Sequence, residues 1–133
     1  MSKSISSNAT VFRAIGYKRW IKDGEVAPDA FFLRPARDDK KVELTLSMLT
    51  EANCSKEICF AGLNNCFGEI EIKVKSIEEL GLEIVDDSEE TNIPYHASIL
   101  NLPQHEGDTL AQAEFLAGEL AKKVIEIKER AKS

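Results

Sequence analysis

From Thr109 to Ala131 the apolar residues Leu110, Ala113, Ala117, Leu120, Val124, Ile127 and Ala131 recur at alternating spacings of three and four. Such a pattern lays one apolar stripe along a helix. Thr109-x-x-Gln112 matches a capping box at its start. Lys122, Lys123, Lys128, Arg130 and Lys132 crowd the far half, where cations favour the helix dipole. The spacing therefore predicts a long C-terminal amphipathic helix. It needs a surface to cover, either a sheet or the same helix of a second copy. Leu116 and Ile125 lie off the main stripe and widen it toward a dimer seam.

The strands of such a sheet are written in a different period. In Gly68 to Lys75, Ile70, Ile72 and Val74 point one way while Glu69, Glu71, Lys73 and Lys75 point the other. Alternation of this kind marks a strand with one wet face. Val42, Leu44 and Leu46 alternate with Glu43, Thr45 and Ser47, and Val11–Ile15, Ala30–Arg34, Leu82–Val85 and Tyr95–Leu100 are short β-capable runs. An antiparallel pairing of Ala30–Arg34 with the Val42–Leu46 strand is the natural expectation. Ser76-x-x-Glu79 and Gly81 read as the start and stop of a short helix, and Asp86–Glu90 as an acidic loop. A further short helix is expected around 55–62. The predicted class is α+β: a small mixed or antiparallel sheet packed against a long C-terminal amphipathic helix. One domain spans 1–133, and residues 1–10 read as a disordered leader or the approach to a first strand.

The chain has 133 residues, 43% apolar and 30% charged, enough apolar material for a core without a metal or disulfide staple. No apolar run reaches the ~18 residues of a membrane span. The serine-rich start lacks the apolar core of a secretory signal. Residues 1–67 carry 10 Lys/Arg against 8 Asp/Glu, a net +2, and residues 68–133 carry 7 against 15, a net −8. An acidic protein is a poor non-specific ligand for nucleic acid. The expectation is thus a cytoplasmic protein with no nucleic-acid or membrane partner. Cys54, Cys59 and Cys66 are odd in number and spaced C-x4-C-x6-C, which is not a zinc knuckle. They read as reduced thiols, and neither a metal nor a cofactor is expected, although His96 could complete a site with them.

No linear catalytic motif is present. Candidate ligand-binding residues are Arg13, Arg34, Ser47 and His96. His96 lies on a predicted strand and imidazole is the usual proton-transfer group near neutral pH. Arg13 and Arg34 lie among aromatics, where a guanidinium binds carboxylate or phosphate and stacks on rings. The order Arg13, Ser47, Glu69-Ile-Glu71 loosely resembles the Arg, Ser and Glu-x-Glu series of ADP-ribosyltransferases. That resemblance implies Arg13 and Ser47 holding NAD and Glu71 stabilising an oxocarbenium-like ribose. Glu69 and Glu71 are equally explained as the wet face of a strand.

Two longer stretches carry another resemblance. One is Asp23-Gly24-Glu25-Val26-x-x-Asp29-Ala30-Phe31, then Leu44-Thr45-Leu46-Ser47. The other is Ile77-Glu78-Glu79-Leu80-Gly81-Leu82-Glu83-Ile84-Val85, then His96-Ala97-x-Ile99 and Leu102-Pro103. Together, over roughly residues 11–105, they resemble a group of small uncharacterised bacterial proteins to which no activity is attached. The resemblance implies a compact bacterial domain and draws attention to Arg13, Ser47 and His96. The cysteine-containing segment departs from the pattern. Two functions follow as expectations. The first is a non-enzymatic binding or regulatory accessory domain acting through a protein partner or a homodimer. The second is a small enzyme or ligand-binding domain with a pocket lined by Arg13, Arg34, Ser47 and His96. Convergence of those side chains discriminates the two.

Overall fold

The computed structural model describes residues 3–15, 17–33, 44–51, 67–93 and 95–129. Its strands are β1 (Lys3–Ser4), β2 (Thr10–Ala14), β3 (Ile21–Lys22), β4 (Glu25–Val26), β5 (Leu46–Leu49), β6 (Gly68–Lys73), β7 (Ile84–Asp86), β8 (His96–Ile99) and β9 (Glu126–Glu129). Its helices are α1 (Val74–Glu79), α2 (Ser88–Thr91) and α3 (Leu110–Lys122), with 3-10 turns at Lys18–Trp20, Pro28–Phe31 and Gly107–Thr109. Seven strands form one sheet in the order β1-β7-β8-β5-β2-β6-β9, and β3 and β4 form a separate hairpin. Each neighbouring pair in the sheet is antiparallel. The class is α+β, as the mixed periodicities predict.

Period-2 alternation gives the sheet two chemically distinct faces. Val11, Leu46, Met48, Ile70, Ile72, Ile84, Ala97 and Ile99 form the core face, all buried. Over them pack α3, through Leu116, Ala117 and Leu120, and the 3-10 turn carrying Ala30 and Phe31. The register puts Ser47 opposite Ser98, Leu49 opposite His96, and Phe12 opposite both Leu49 and Glu71. Directly opposed residues share a face, so these form the second face.

The long C-terminal helix is shorter than its stripe. α3 ends at Lys122, and the chain turns to add β9 beside β6. Val124-Ile125-x-Ile127 is β-branched, stiff at χ1 and better suited to a pleated surface than to a helix. Ile127 then opposes Ile70 and packs against the core, half-buried. The stripe was continuous because strand and helix both place residue 127 on the apolar side. At the other end, Thr109 is the N-cap residue but makes no capping bond; its hydroxyl donates to the Gln104 and Glu106 carbonyls. Off the stripe, Leu116 is buried and Ile125 is 50% exposed.

Other expectations need correction. Over the described part of Ala30–Arg34, residues 30–33, no strand forms: Pro28 opens a 3-10 turn ending at Phe31, consistent with proline's fixed φ. Of the expected Val42–Leu46 strand, 42–43 lie outside the described residues and Leu44 is 70% exposed; β5 starts only at Leu46 and pairs with β8 and β2. β6 stops at Lys73, and α1 begins two residues before the supposed cap Ser76, with no side-chain capping bond. Its end follows expectation. Leu82 donates to the Ile77 carbonyl, Gly81 donates to Glu78, and Gly81 takes φ +78°, the geometry of a Schellman stop. Glu69, placed on a wet face by its alternation, is only 4% exposed. Within the stretch read as a leader, Lys3–Ser4 pair with Asp86 and Val85 as the edge strand β1. The helix expected around 55–62 lies outside the described residues. Among the described residues no helix is long and apolar enough to cross a membrane.

Candidate active site: a serine, a histidine and an aspartate across three strands

The second face carries a polar network where an antiparallel sheet of this size would ordinarily have a wet surface or another apolar layer. β7 and β8 pair Val85 with Ser98 and Asp86 with Ala97. One register step further, Asp87 meets His96, and the Asp87 N–H donates to the His96 carbonyl at 3.3 Å. β8 and β5 pair Ser98 with Ser47. Asp87, His96, Ser98 and Ser47 are therefore cross-strand neighbours on three adjacent chain segments.

Their side chains are joined in series. His96 Nδ1 lies 2.6 Å from Asp87 Oδ1, and His96 Nε2 lies 3.1 Å from Ser47 Oγ. Ser98 Oγ donates to the second carboxylate oxygen, Asp87 Oδ2, at 2.6 Å. The Asp87 and His96 side chains are 14% and 6% exposed. Ser98 is buried, whereas Ser47 is half-buried.

The chemistry of the partners sets the proton positions. An ionised carboxylate only accepts, so Nδ1 of His96 carries the hydrogen of the bond to Asp87. In the neutral ring Nε2 is then the lone-pair atom, and it accepts the Ser47 hydroxyl. Ser98 holds the carboxylate from its far side and fixes its plane. The order is hydroxyl, imidazole, carboxylate, with an ordinary 3.1 Å bond to Ser47 and a short 2.6 Å bond to Asp87, the geometry in which an imidazole can activate a hydroxyl.

The backbone next to His96 is strained. Tyr95 takes φ +61°, the left-handed region that a bulky residue seldom occupies. Its carbonyl accepts the Thr50 N–H at 2.8 Å, and the His96 N–H donates to the Ile93 carbonyl at 3.2 Å. These bonds pin the conformation and aim His96 at β5. Neighbouring Asp86 faces the other way. Its carboxyl lies below its ordinary value of 3.8, chiefly because the Ser88 hydroxyl and then the Ser88 N–H donate to it.

Of the four residues singled out in the sequence, Ser47 and His96 meet. Arg13 reaches the same neighbourhood from behind. Its side chain lies on the core face, donating from Nη1 to the Ser47 carbonyl and from Nε to the Ala30 carbonyl, each at 2.7 Å. Its guanidinium stands 5.1 Å over the Trp20 ring. Arg34 lies outside the described residues, as do Cys54, Cys59 and Cys66. The Arg–Ser–Glu-x-Glu order does not assemble: Ser47 and Glu71 share one face while Arg13 is committed to the other. Asp87 and Ser98 were missed by sequence reasoning. Their available signal was the hairpin register together with the i, i+2 spacing of His96 and Ser98.

Among the described residues no group of three or more His, Cys, Asp or Glu side chains could hold a metal ion. No family model, no curated protein and no solved structure matches the chain.

Proposed function

We propose that the protein is a small serine-dependent acyl-transfer enzyme, with hydrolysis of an ester, thioester or amide as its reaction class. One observation carries this reading: the continuous Ser47–His96–Asp87 hydrogen-bond series, with Ser98 on the free carboxylate oxygen. A motif search along the chain finds no such site because its members come from β5, β8 and the β7 terminus.

In the proposed reaction the Ser47 oxygen attacks the substrate's acyl carbon while its proton passes to His96 Nε2. Asp87 stabilises the resulting imidazolium through Nδ1–H. Collapse of the tetrahedral adduct breaks the bond to the leaving group, which takes the proton from Nε2. Water then adds to the Ser47 ester, giving its proton to Nε2; the carboxylic acid departs and the proton returns to Ser47. Half-burial of Ser47 beside a buried histidine suits this division of labour.

The test is covalent labelling. A fluorophosphonate should add one phosphonyl group to the native protein, with intact mass and peptide mapping placing it on Ser47. Ser47→Ala and His96→Ala variants with native far-UV spectra should remain unlabelled. Absence of labelling in the wild type, together with no turnover on aryl ester, thioester and amide panels, refutes the reading and returns the protein to a binding role.

A further inference from the structure

β2 and β5 pair at Phe12 and Leu49. Continuing that register would set Ala14 opposite Ser47, yet no such pair forms among the described residues, and β2 continues with β6 as far as Ala14. The Ser47 carbonyl accepts from the Arg13 guanidinium. The same group is anchored by the Ala30 carbonyl and by the face of Trp20, a buried residue. A planar donor held at two carbonyls and a ring has little freedom.

From this geometry we infer that Arg13 is the positioning residue of the site: it clamps the Ser47 backbone from the core face, so that Oγ on the opposite face stays within reach of His96 Nε2. The assignment rests on the proposed serine chemistry for its kinetic consequence, but not for its structural one. A lysine keeps the charge and loses the fixed fork. Its single ammonium cannot reproduce two donors aimed at Ser47 and Ala30 with the geometry of a guanidinium.

Three readouts test it on the full chain. Arg13→Lys should slow fluorophosphonate labelling of Ser47 at least tenfold, and should lower kcat on any substrate found while KM stays within about threefold. By 15N-edited NMR, the His96 Nδ1–H resonance should persist, since the Asp87 bond is untouched, while the Nε2 shift moves toward that of Ser47→Ala. Millimolar guanidine should restore labelling in Arg13→Ala. Trp20→Phe, which keeps an aromatic ring under the guanidinium, provides a milder variant if Arg13 replacements fold poorly, with a smaller slowing expected. Wild-type labelling rate and Nε2 shift in a folded Arg13→Lys overturn the assignment. If the wild type is neither labelled nor active on the ester, thioester and amide panels, the enzymatic reading fails, and the Nε2 shift alone still decides what Arg13 does.

Discussion

Replacing Asp87 by asparagine changes one atom and almost no volume, so its effect isolates the charge. Two short bonds end on that carboxylate, from His96 Nδ1–H and from Ser98 Oγ, each 2.6 Å. Hydrogen bonds to a charged group contribute about 1.5–3 kcal/mol, against about 0.5–1.5 for neutral pairs. With side chains only 14% and 6% exposed, screening removes little of that difference. Losing about 1 kcal/mol at each bond gives a destabilisation of about 2 kcal/mol. For a chain of 133 residues the unfolding entropy scale converts this to a fall in Tm of about 7 °C. Differential scanning calorimetry at pH 7 measures it, with Asp86→Asn, on the opposite face of the sheet, as the control. The same substitution removes the group that fixes the histidine tautomer. In Ser–His–Asp enzymes that change lowers kcat by about 10^4, and labelling of Ser47 should fall by at least 10^3. A Tm within 2 °C of wild type, or unchanged labelling in an enzyme that labels, would show that Asp87 neither holds nor orients His96.

The remaining predictions concern the scaffold. Leu120→Ala empties a fully buried position on α3 and should cost about 2–5 kcal/mol, seen in urea denaturation as a lower midpoint at unchanged m-value. Gly81→Ala meets no atom within 4 Å of the added carbon but must keep φ +78°; the cost should be backbone strain alone, about 1–2 kcal/mol. Ser88→Ala removes the largest cause of the depressed Asp86 carboxyl. A depressed carboxylate adds stability above its unfolded value and loses it as pH falls through the folded one. The wild type should therefore exceed Ser88→Ala by under about 1 kcal/mol near neutral pH, and the gap should close below pH 3.8. A gap that widens in acid contradicts the assignment.

Much of the sheet was legible because alternation is a local signal. β2, β6 and β8 follow from Val11, Ile70, Ile72, Ala97 and Ile99, whose neighbours face the other way. What failed was where two periods agree. Ile127 fits a helical stripe and a strand equally well, and only the backbone preference of β-branched residues separates them. Pro28 similarly outweighed the apolar run Ala30–Leu33. The site was half legible. Ser47 and His96 stand out by residue type and strand position, but they are 49 residues apart, and their contact depends on β5 lying beside β8. Asp87 looked like one more acid in a solvated loop. Only the register of the β7–β8 hairpin distinguishes it from Asp86, one position earlier and on the other face.

The sheet also partitions the consequences of mutation. Substitutions among Val11, Ile70, Ile99 and Leu120 act on one side of a layer of backbone, and those at Ser47, Asp87 and His96 on the other. Sites with no shared partner combine nearly additively. Core variants should therefore raise or lower stability without altering the Ser47–His96–Asp87 hydrogen-bond series, and an evolving or engineered chain can tune the two separately. Arg13 is the exception. It belongs to the core by packing and to the site through one carbonyl, so epistasis between the two faces should concentrate there, with a core change at Trp20 or Ala30 felt at Ser47 and few others felt at all.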